Sequence, residues 1–537
     1  MKFIDRFRVA SEYGQTSNRW INYDIQPVEI GRRTWNFWTY HNLWVLINAN
    51  ISNYMSGSSL IALGLTWRQA LAAIIVGNVL STGLVILNSL PGAYYHLGFP
   101  LANRYVWGLW GSYFVLLNRI LLSLVWYAVQ SWIGGECVYV CLRAIWPSLE
   151  QRIPNHMPES TGMTTAQFAS YIIFMILSLP VIYIRPHKLK QFFNVSSLIV
   201  ITFLLVILIW ALATMGDSGF GSTISDPGTG GSGWNVAFGI VSTIGSIAAG
   251  ILNQNDYARF ARRPRDAILG QVVGFPIYAI LCAVIGIIVT AATQNRYGEA
   301  LWSLPSLLEA IMDHGGSRSR AAAFFGGAAV CISQLGVNIP GNALSGGFDT
   351  AAIFPQVINV RRGAYLTALI SMACNPWKLA NTATTFLSVL SSYSVFLGPM
   401  IGCMISSYLV VMRRKIKVDD LFPEHDSASI YWYTSGINWR APVAWLCGTV
   451  PSLPGFVAHV NPSIKVPIGL THLFYICFLS GIAISATVFI ALHYFFPASS
   501  VREFVEAAPP PAVLMTEYRE QWDTQGGVEH LEQHPKP

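Results

Sequence analysis

Long apolar runs recur through most of the chain and are separated by short polar segments. Many approach the roughly 20 residues that a helix needs to span a bilayer, and Ile199–Ala211, Ala279–Thr293 and Ile482–Leu492 are the apolar centres of three of them. The pattern predicts an all-α polytopic membrane protein with about twelve transmembrane helices. We place these helices at residues 36–63, 69–92, 107–141, 167–184, 192–215, 234–257, 267–294, 320–346, 363–377, 382–411, 439–459 and 467–496.

The positions of the basic residues predict the orientation of these spans. If the N-terminus is cytoplasmic, each even-numbered span ends in the cytoplasm, and those ends carry more Lys and Arg than the opposite loops, as the positive-inside rule requires. The basic residues at these ends are Arg104, Arg185, Lys188, Lys190, Arg259, Arg262, Arg263, Arg265, Arg361, Arg362, Arg413, Arg414, Lys415 and Lys417. We therefore expect both termini in the cytoplasm, as a polar segment at 1–35 and a tail at 497–537 that scattered acids and Pro509–Pro511 indicate to be disordered.

Composition agrees with a membrane protein, since 53% of the residues are hydrophobic and 11% are charged, against about 25% charged in soluble domains. The net charge of +7 is spread over short loops and does not indicate nucleic-acid binding. Cys137 and Cys141 have helical spacing, but no His or acid completes a metal set, and no disulfide framework is indicated. Because no Ser/His/acid set or phosphate-binding Gly loop is found either, we predict neither an enzyme nor a bound metal or cofactor.

The third predicted span contains Trp126 and Gln130, which are four residues apart and share one face of a helix. The Trp ring can stack on a planar ligand, and the Gln amide can both donate and accept hydrogen bonds along a ring edge. A buried ring beside a buried amide suits a flat, polar, uncharged heterocycle. The alternative is a core Trp with a Gln that bonds to a neighbouring helix.

Polar residues near the middle of the first span predict an interrupted helix. Small residues in the sixth span permit a break but, taken alone, favour tight packing. A broken helix exposes backbone groups and is tolerated only against protein or a wet cavity. The first span carries Asn42, Asn48, Asn50, Ser52 and Asn53, with Asn50 about halfway along. The sixth span carries Gly239, Ser242, Thr243, Gly245, Ser246 and Gly250. The alternatives are a polar patch that holds helices together in the first span and tight packing through small residues in the sixth.

The eighth span contains Asn338 and Asn342, again four apart and on one face. Pro340 lies between them and removes a backbone donor, which loosens the turn. These two amides are candidates to complete the recognition of a ring edge that Gln130 begins, with Asn342 as the first choice.

Glu136 lies six residues after Gln130 in an apolar run. A carboxylate within the membrane is costly and marks a functional position by default, so Glu136 is the candidate for a proton carrier. The alternative is a structural carboxyl that bonds to a neighbouring helix. Asp256 and Asp349 are predicted to pair with Arg residues of their own loops, and Arg119 is predicted to be structural.

Several motifs, which follow one another along the chain in the order typical of the family, resemble the nucleobase–cation symporter-1 family. Within it, they resemble most closely the fungal uracil/allantoin permease branch. The resemblance covers roughly residues 18–495. The matching stretches are Trp126-x-x-x-Gln130-x-Trp132-Ile133-Gly134-Gly135, Arg33-Thr34-Trp35, Gln334-Leu335-Gly336-Val337-Asn338-Ile339 with Asn342, Ser392-Tyr393-Ser394-Val395-Phe396-Leu397-Gly398-Pro399, and Gly436-Ile437-Asn438-Trp439-Arg440-Ala441-Pro442.

The resemblance implies a leucine-transporter-like fold, with two inverted five-helix repeats at about 36–215 and 234–411 and two extra helices at 439–496. The substrate then lies at the midplane between the broken first and sixth helices and the third and eighth helices. It implies that Trp126 stacks on the substrate ring and that Gln130 and Asn342 hydrogen-bond it, with Asn338 beside them. The remaining implied positions are Asn50 on the first helix, Gly245, Ser246 and Ile247 on the sixth, and Tyr393 near the outer gate.

This chain differs from the sodium-coupled bacterial members of the family at two positions that bear on the coupling ion. Those relatives have hydroxyl side chains just before the first eighth-helix Asn, whereas this chain has Gly336 and Val337. A hard cation would lose two oxygen ligands there. We therefore expect proton coupling rather than sodium coupling, with Glu136 as the candidate.

The sequence thus predicts a multi-pass symporter of the plasma membrane that takes up a neutral, planar, nucleobase-like heterocycle, with uracil and allantoin as the leading substrates. Its expected partners are this small molecule and the lipid bilayer. Within the same fold, thiamine or a nucleoside is the alternative substrate. In another class, the alternative is a nutrient receptor that binds without transporting.

Overall fold

The computed structural model describes residues 19–22, 24–184, 190–225, 231–380, 382–461 and 463–518. The predicted cytoplasmic residues Arg185 and Lys188 and the outer parts of both terminal segments lie outside these ranges. Helical spans follow one another in the order that the sequence predicts. They are α1 (Phe37–Asn48 and Ile51–Ala62), α2 (Trp67–Tyr95), α3 (Ser112–Ile145), α4 (Thr165–Tyr183), α5 (Lys190–Thr214), α6 (Gly233–Gly245 and Ala248–Leu252), α7 (Pro264–Tyr297), α8 (Ser317–Asn338, Ile339–Leu344 and Ser345–Ile353), α9 (Val360–Ser371), α10 (Ala383–Ser392 and Ser394–Ser406), α11 (Arg440–Thr449 and Leu453–Val460) and α12 (Ile468–Tyr475 and Cys477–Phe495).

Within the described ranges, nine of these helices are long and apolar enough to cross a membrane. The other three are α1 and α6, each divided into short pieces, and α9, which has 12 residues. The prediction of an all-α polytopic protein is confirmed. The difference between twelve predicted spans and nine long helices comes from the interruptions and from the short ninth helix.

The interruption in α1 lies where its polar residues predict it, and α6 is interrupted as the resemblance implies, although its small residues alone favour tight packing. In α1, Ala49 leaves helical geometry and Asn50 is extended, with φ −140° and ψ 166°. In α6, Ile247 separates the two pieces with φ −120° and ψ 1°. Both helices therefore expose backbone groups near their middle, which a membrane helix tolerates only against protein or a wet cavity.

Helix α7 packs directly against the second half of α1 through glycines. A Cβ built on Gly57 would lie 2.1 Å from Ala283 O, and one on Gly286 would lie 2.2 Å from Tyr54 O. The two backbones are in van der Waals contact at these points, as small residues allow in membrane bundles. This contact fixes the second half of α1, which carries part of the site described below.

Gly57→Ala is expected to destabilise the folded protein by about 1–3 kcal/mol, the usual cost of inserting a methyl group into a packed core. The added Cβ meets backbone, which cannot rotate away. The thermal midpoint of the purified protein in detergent measures the effect. Gly83→Ala is the control, since a Cβ on Gly83 of α2 meets no atom within 4 Å. Equal midpoints for the two variants would contradict the close packing.

The segment before α1 crosses the end of the bundle that is predicted to be cytoplasmic. Trp20 is buried, its Nε1 donates to Asp426 Oδ1 (2.7 Å), and its carbonyl oxygen accepts from Arg104 Nη2 (2.8 Å). Further along, Trp35 N donates to Phe260 O (3.0 Å). The described part of this polar segment is therefore fixed to the loops of the bundle.

The predicted disorder of the tail is wrong for its described part. Residues Ser499–Ala507 form a helix, and 511–518 are helical as well. Val501 and Val505 are buried, and Lys415 Nζ donates to Val505 O (2.7 Å). An apolar face on one side of a short helix and a cation at its last carbonyls supply the stabilisation that composition alone does not reveal.

Candidate functional site

Trp126 and Gln130 lie on one buried face of α3, with exposed fractions of 8% and 5%. The Gln130 side-chain oxygen Oε1 accepts a hydrogen bond from Ser52 Oγ at 3.0 Å. Ser52 is the second residue of the second half of α1, directly after the interruption. The face of α3 that the spacing predicts therefore meets the broken part of α1.

Asn50 terminates the break in α1 with its own side chain. Its Oδ1 accepts from Asn53 N (3.0 Å), and its Nδ2 donates to Ile47 O. An Asn at this position satisfies backbone groups that the interruption leaves without helical partners. Both ends of the carboxamide are thus used within α1, and the structure gives Asn50 the geometry of a helix cap. These contacts do not show the polar substrate contact that the resemblance implies for Asn50, and that role stays a prediction.

Helix α8 changes its geometry at the predicted position. Residues Ile339–Leu344 form a π-helical segment between two α-helical pieces. Pro340 is the second residue of this segment and has no N–H to donate. The widened turn is of a kind that is frequent at functional sites, and it carries Asn342 while Asn338 precedes it.

Asn338 and Asn342 differ in their surroundings although they share a face. Asn338 is buried at 1% exposure, and its Nδ2 donates to Tyr127 O (3.2 Å) and Ser131 Oγ (2.9 Å), both on α3. Asn342 is half-buried, and its Nδ2 donates to Asn338 Oδ1 (2.9 Å). Asn338 therefore joins α8 to α3, and Asn342 extends from it.

The interruption in α6 consists of Ser246 and Ile247, and Gly245 is the last residue of the piece before it. Gly245 is buried, whereas Ser246 and Ile247 are partly exposed. Ser246 Oγ donates to Thr243 O (2.7 Å), so its hydroxyl satisfies its own helix. Ile247 packs on the apolar core, with its Cδ1 close to Gly250. An aliphatic side chain stands here, so this position offers shape and not ring stacking.

Two serines support the predicted amides: Ser52 of α1 hydrogen-bonds Gln130, and Ser131 of α3 accepts from Asn338, which in turn accepts from Asn342. The sequence supplies Ser52 as one of several polar residues in the first span, but nothing in its pattern singles out this hydroxyl. Ser131 is also missed, because it lies about 100° around α3 from Gln130. Helical spacing identifies residues that share one face. It cannot identify these two serines, because their hydrogen bonds run to other helices and depend on how the helices pack.

Tyr393 lies at the interruption of α10, between Ser392 and Ser394. Its hydroxyl donates to Asn118 O at 3.2 Å. Asn118 precedes Trp126 by eight residues of α3, or about 12 Å along the axis at 1.5 Å per residue. Since α3 begins at the cytoplasmic side in the predicted orientation, this contact lies on the cytoplasmic side of Trp126. The resemblance implies a position near the outer gate instead, and that role of Tyr393 stays a prediction.

Glu136 follows Gln130 by six residues and lies toward the C-terminal end of α3, whereas Asn118 lies toward its N-terminal end. Its Oε2 accepts from Gln167 Nε2 on α4 at a long 3.5 Å, and its Oε1 is buried with no partner among the described residues. Further out, Arg143 pairs with Glu309 (3.0 Å) and Asp313 (2.9 Å) of the surface helix Leu304–Asp313. Burial raises the pKa of Glu309 to about 7, and the Arg143 charge opposes this rise.

A second buried charge cluster surrounds Arg119 near the start of α3. Asp349, Asp256 and Arg119 are exposed by only 1%, 5% and 2%. Arg119 Nη1 donates to Ser123 Oγ (2.6 Å), and with its carboxamide turned to suit its neighbours, Asn253 accepts from Arg119 Nη2 (3.0 Å).

Asp349 stands apart within this cluster. Both of its oxygens are buried without a hydrogen-bond partner in the described part of the chain. No salt bridge there joins Asp349 to an Arg of its own loop, so its predicted pairing is wrong. The charge of Arg119 acts on the Asp349 carboxyl across the interface of α3 and α8. The prediction failed because it considered only the Arg residues near Asp349 in the sequence, whereas Arg119 belongs to another helix, α3.

Comparison with known proteins adds to this geometry. A family model described as "Permease for cytosine/purines, uracil, thiamine, allantoin" matches residues 27–481. The allantoin permease of Saccharomyces cerevisiae is 35% identical over 482 residues, which are 89% of this chain and 76% of that protein. The uracil permease of the same yeast is 35% identical over 484 residues, with the same two shares.

Among solved structures, the fold is similar to that of Mhp1, a nucleobase-cation-symport-1 family transporter in a closed conformation with bromovinylhydantoin bound. The TM-score is 0.69 at 19% identity, and the match covers 93% of this chain and 99% of the other. At this identity the likeness concerns the fold, which in Mhp1 is shared over nearly the whole chain.

Proposed function

We propose that this chain, which belongs to the nucleobase–cation symporter family of permeases for cytosine and purines, uracil, thiamine and allantoin, takes up a neutral cyclic compound such as uracil or allantoin together with a proton. Family membership makes it a multi-pass membrane transporter and not an enzyme. The substrate and the coupling ion are the parts that we propose.

The observation that carries the substrate proposal is a pair of amides with fixed orientation: Gln130, which shares one face of α3 with Trp126, and Asn342, which Asn338 links to the same helix. Ser52 bonds Gln130 from α1, and Asn338 bonds Asn342 next to α3. A flat aromatic face supports stacking, and amides offer neutral donors and acceptors. Such a site suits an uncharged heterocycle, and the relatives named for allantoin and uracil carry compounds of this kind.

The interrupted helices support transport by alternating access. Substrate sites of inverted-repeat transporters lie where broken helices meet at the midplane. Both α1 and α6 are interrupted near their middle, and Ser52, directly after the interruption of α1, bonds Gln130 of α3. We propose that the repeats comprise about 36–215 and 234–411. The contact of Tyr393 with Asn118 then closes the path on the cytoplasmic side of Trp126 and must open for release.

Proton coupling is favoured over sodium coupling by the residues that precede Asn338. Gly336 and Val337 carry no side-chain oxygen, whereas a hard cation needs several oxygen ligands. Two carboxyls are candidates for the proton: Glu136, which the sequence predicts, and Asp349. Asp349 is better supported, because an ionised carboxylate with no hydrogen bond is costly in a buried site.

We propose that the protein acts at the plasma membrane with both termini in the cytoplasm. The basic residues after even-numbered spans support this orientation. A cationic substrate such as thiamine is less well matched, because it would favour a carboxylate beside the aromatic ring. Glu136 lies nearly two helical turns from Gln130, and a nucleoside would need further space for its sugar.

Uptake of radiolabelled uracil by cells that express the protein tests the proposal. Uptake is measured with and without a protonophore and in competition with unlabelled allantoin, uridine and thiamine. We expect uptake that the protonophore abolishes and that allantoin competes. Uptake of thiamine or uridine alone would contradict the proposed substrate, and binding of uracil without net uptake would favour a receptor.

A further inference from the structure

A series of hydrogen bonds determines which way the Asn342 carboxamide faces. It begins at Tyr127 O, which can only accept, so Asn338 must turn its nitrogen toward it, and Nδ2 donates to Tyr127 O (3.2 Å) and Ser131 Oγ (2.9 Å). Asn338 Oδ1 is thereby directed to Asn342, whose Nδ2 donates to it (2.9 Å). The Asn342 side-chain oxygen Oδ1 accepts no hydrogen bond from the described residues and is therefore available as an acceptor.

We propose that Asn338 is a positioning residue and not a substrate contact, and that it holds Asn342 so that the site presents a hydrogen-bond acceptor to the substrate. This inference rests on the proposed function, in which Asn342 contacts the ring edge. Asn338 acts through Asn342, since its own carboxamide donates at one end and accepts at the other.

Burial makes this orientation resistant to reversal. Tyr127 and Ser131 are fully buried and Asn338 is exposed by 1%. Turning the Asn338 carboxamide over would set its oxygen about 3.2 Å from the Tyr127 carbonyl oxygen, and two buried acceptors that face each other repel. Asn342 is half-buried and lies in the widened π-helical turn. Without Asn338, its carboxamide would be free to present either end.

The polarity of the site defines a substrate class. Gln130 Oε1 is occupied by Ser52, which leaves Gln130 Nε2 as a donor without a partner in the described ranges. A donor at Gln130 and an acceptor at Asn342 match a ring that carries a C=O next to an N–H. The cyclic imide, an N–H between two carbonyl groups, has this edge and occurs in uracil and in hydantoin rings.

The test uses 3-oxauracil, in which a ring oxygen replaces the imide N–H with little change in shape. Inhibition of radiolabelled uracil uptake is measured for the full-length wild type, Asn338→Leu, Asn338→Asp and Ser131→Ala. We expect 3-oxauracil to inhibit the wild type about 100-fold more weakly than uracil, because its ring oxygen cannot donate to Asn342 and leaves that acceptor unsatisfied, a cost of up to about 3 kcal/mol.

In Asn338→Leu the ratio of the two inhibition constants should fall about tenfold, the effect of one hydrogen bond, while the maximal rate per transporter at the membrane changes less. Asn338→Asp, when protonated, can still donate to Tyr127 and accept from Asn342, and should retain the ratio. Ser131→Ala removes one of the two acceptors of Asn338 and should lower the ratio by a smaller factor. A purely structural role would change the amount of protein and not this ratio.

Two results would overturn the proposal while leaving the proposed function intact. One is equal inhibition of the wild type by 3-oxauracil and uracil. The other is an unchanged ratio in Asn338→Leu or, if that variant does not reach the membrane, in Ser131→Ala. Failure of the wild type to take up uracil or any cyclic imide would overturn the proposed function, and this inference with it.

Discussion

Gln130→Ala and Asn342→Ala are each expected to raise the KM for uracil uptake by about 5- to 150-fold, since the loss of a hydrogen bond in a buried site costs about 1–3 kcal/mol. Gln130 is buried beside Trp126 and is fixed by Ser52. Asn342 extends from Asn338 at the π-helical turn of α8. Removing either amide leaves a substrate carbonyl or N–H group without its hydrogen-bond partner.

The measurement is initial uptake of radiolabelled uracil, normalised to the amount of each variant at the cell surface. Asn118→Ala is the matched control on α3, because its partly exposed side chain donates to Phe114 O of its own helix (2.8 Å) and the oxygen that accepts from Tyr393 belongs to the backbone, which the variant keeps. This control should transport like the wild type. Wild-type kinetics in both Gln130→Ala and Asn342→Ala would remove the site assignment altogether.

Asp349→Asn is expected to abolish proton-driven accumulation of substrate while leaving exchange of substrate across the membrane. One proton that moves down a potential of about 100 mV supplies about 2.3 kcal/mol, which corresponds to about a 50-fold concentration ratio. The Asn side chain has the shape of a protonated Asp and cannot release a proton. The steady-state ratio of internal to external uracil should therefore fall toward one.

Glu136→Gln is the comparison that separates the two candidate carboxyls. Glu136 lies on the other side of Gln130 and bonds Gln167 of α4 at 3.5 Å. If Glu136 carries the proton, this variant loses accumulation and Asp349→Asn keeps it. If both variants accumulate uracil and remain sensitive to a protonophore, neither carboxyl is the coupling group.

The apolar runs by themselves determined the number, order and approximate limits of the helical spans. In lipid every backbone polar group must find a partner within its own segment, so length and hydrophobicity suffice to locate a helix. The same local geometry placed Trp126 and Gln130 on one face of α3. It also placed the interruption near Asn50, because amides weaken a helix by competing for its backbone groups, whereas the small residues around Gly245 fit a break and tight packing equally.

The tertiary structure alone decided what each of these residues does there. Asn338 and Asn342 are the same residue type on the same face, but Asn338 meets Tyr127 and Ser131, which are 211 and 207 residues away in the sequence. Asn50 is a residue type that suits a ligand contact, but in the structure its hydrogen bonds are those of a helix cap.

Asp349 and the tail helix follow the same rule. Asp349 has Arg residues near it in the sequence, yet the cation that acts on it is Arg119 of α3. The helix Ser499–Ala507 is ordered by the bundle surface on which Val501 and Val505 are buried. Hydrogen-bond partners, charges and apolar contacts act through space, and their positions depend on how distant helices pack. Helical periodicity carries no information about that packing.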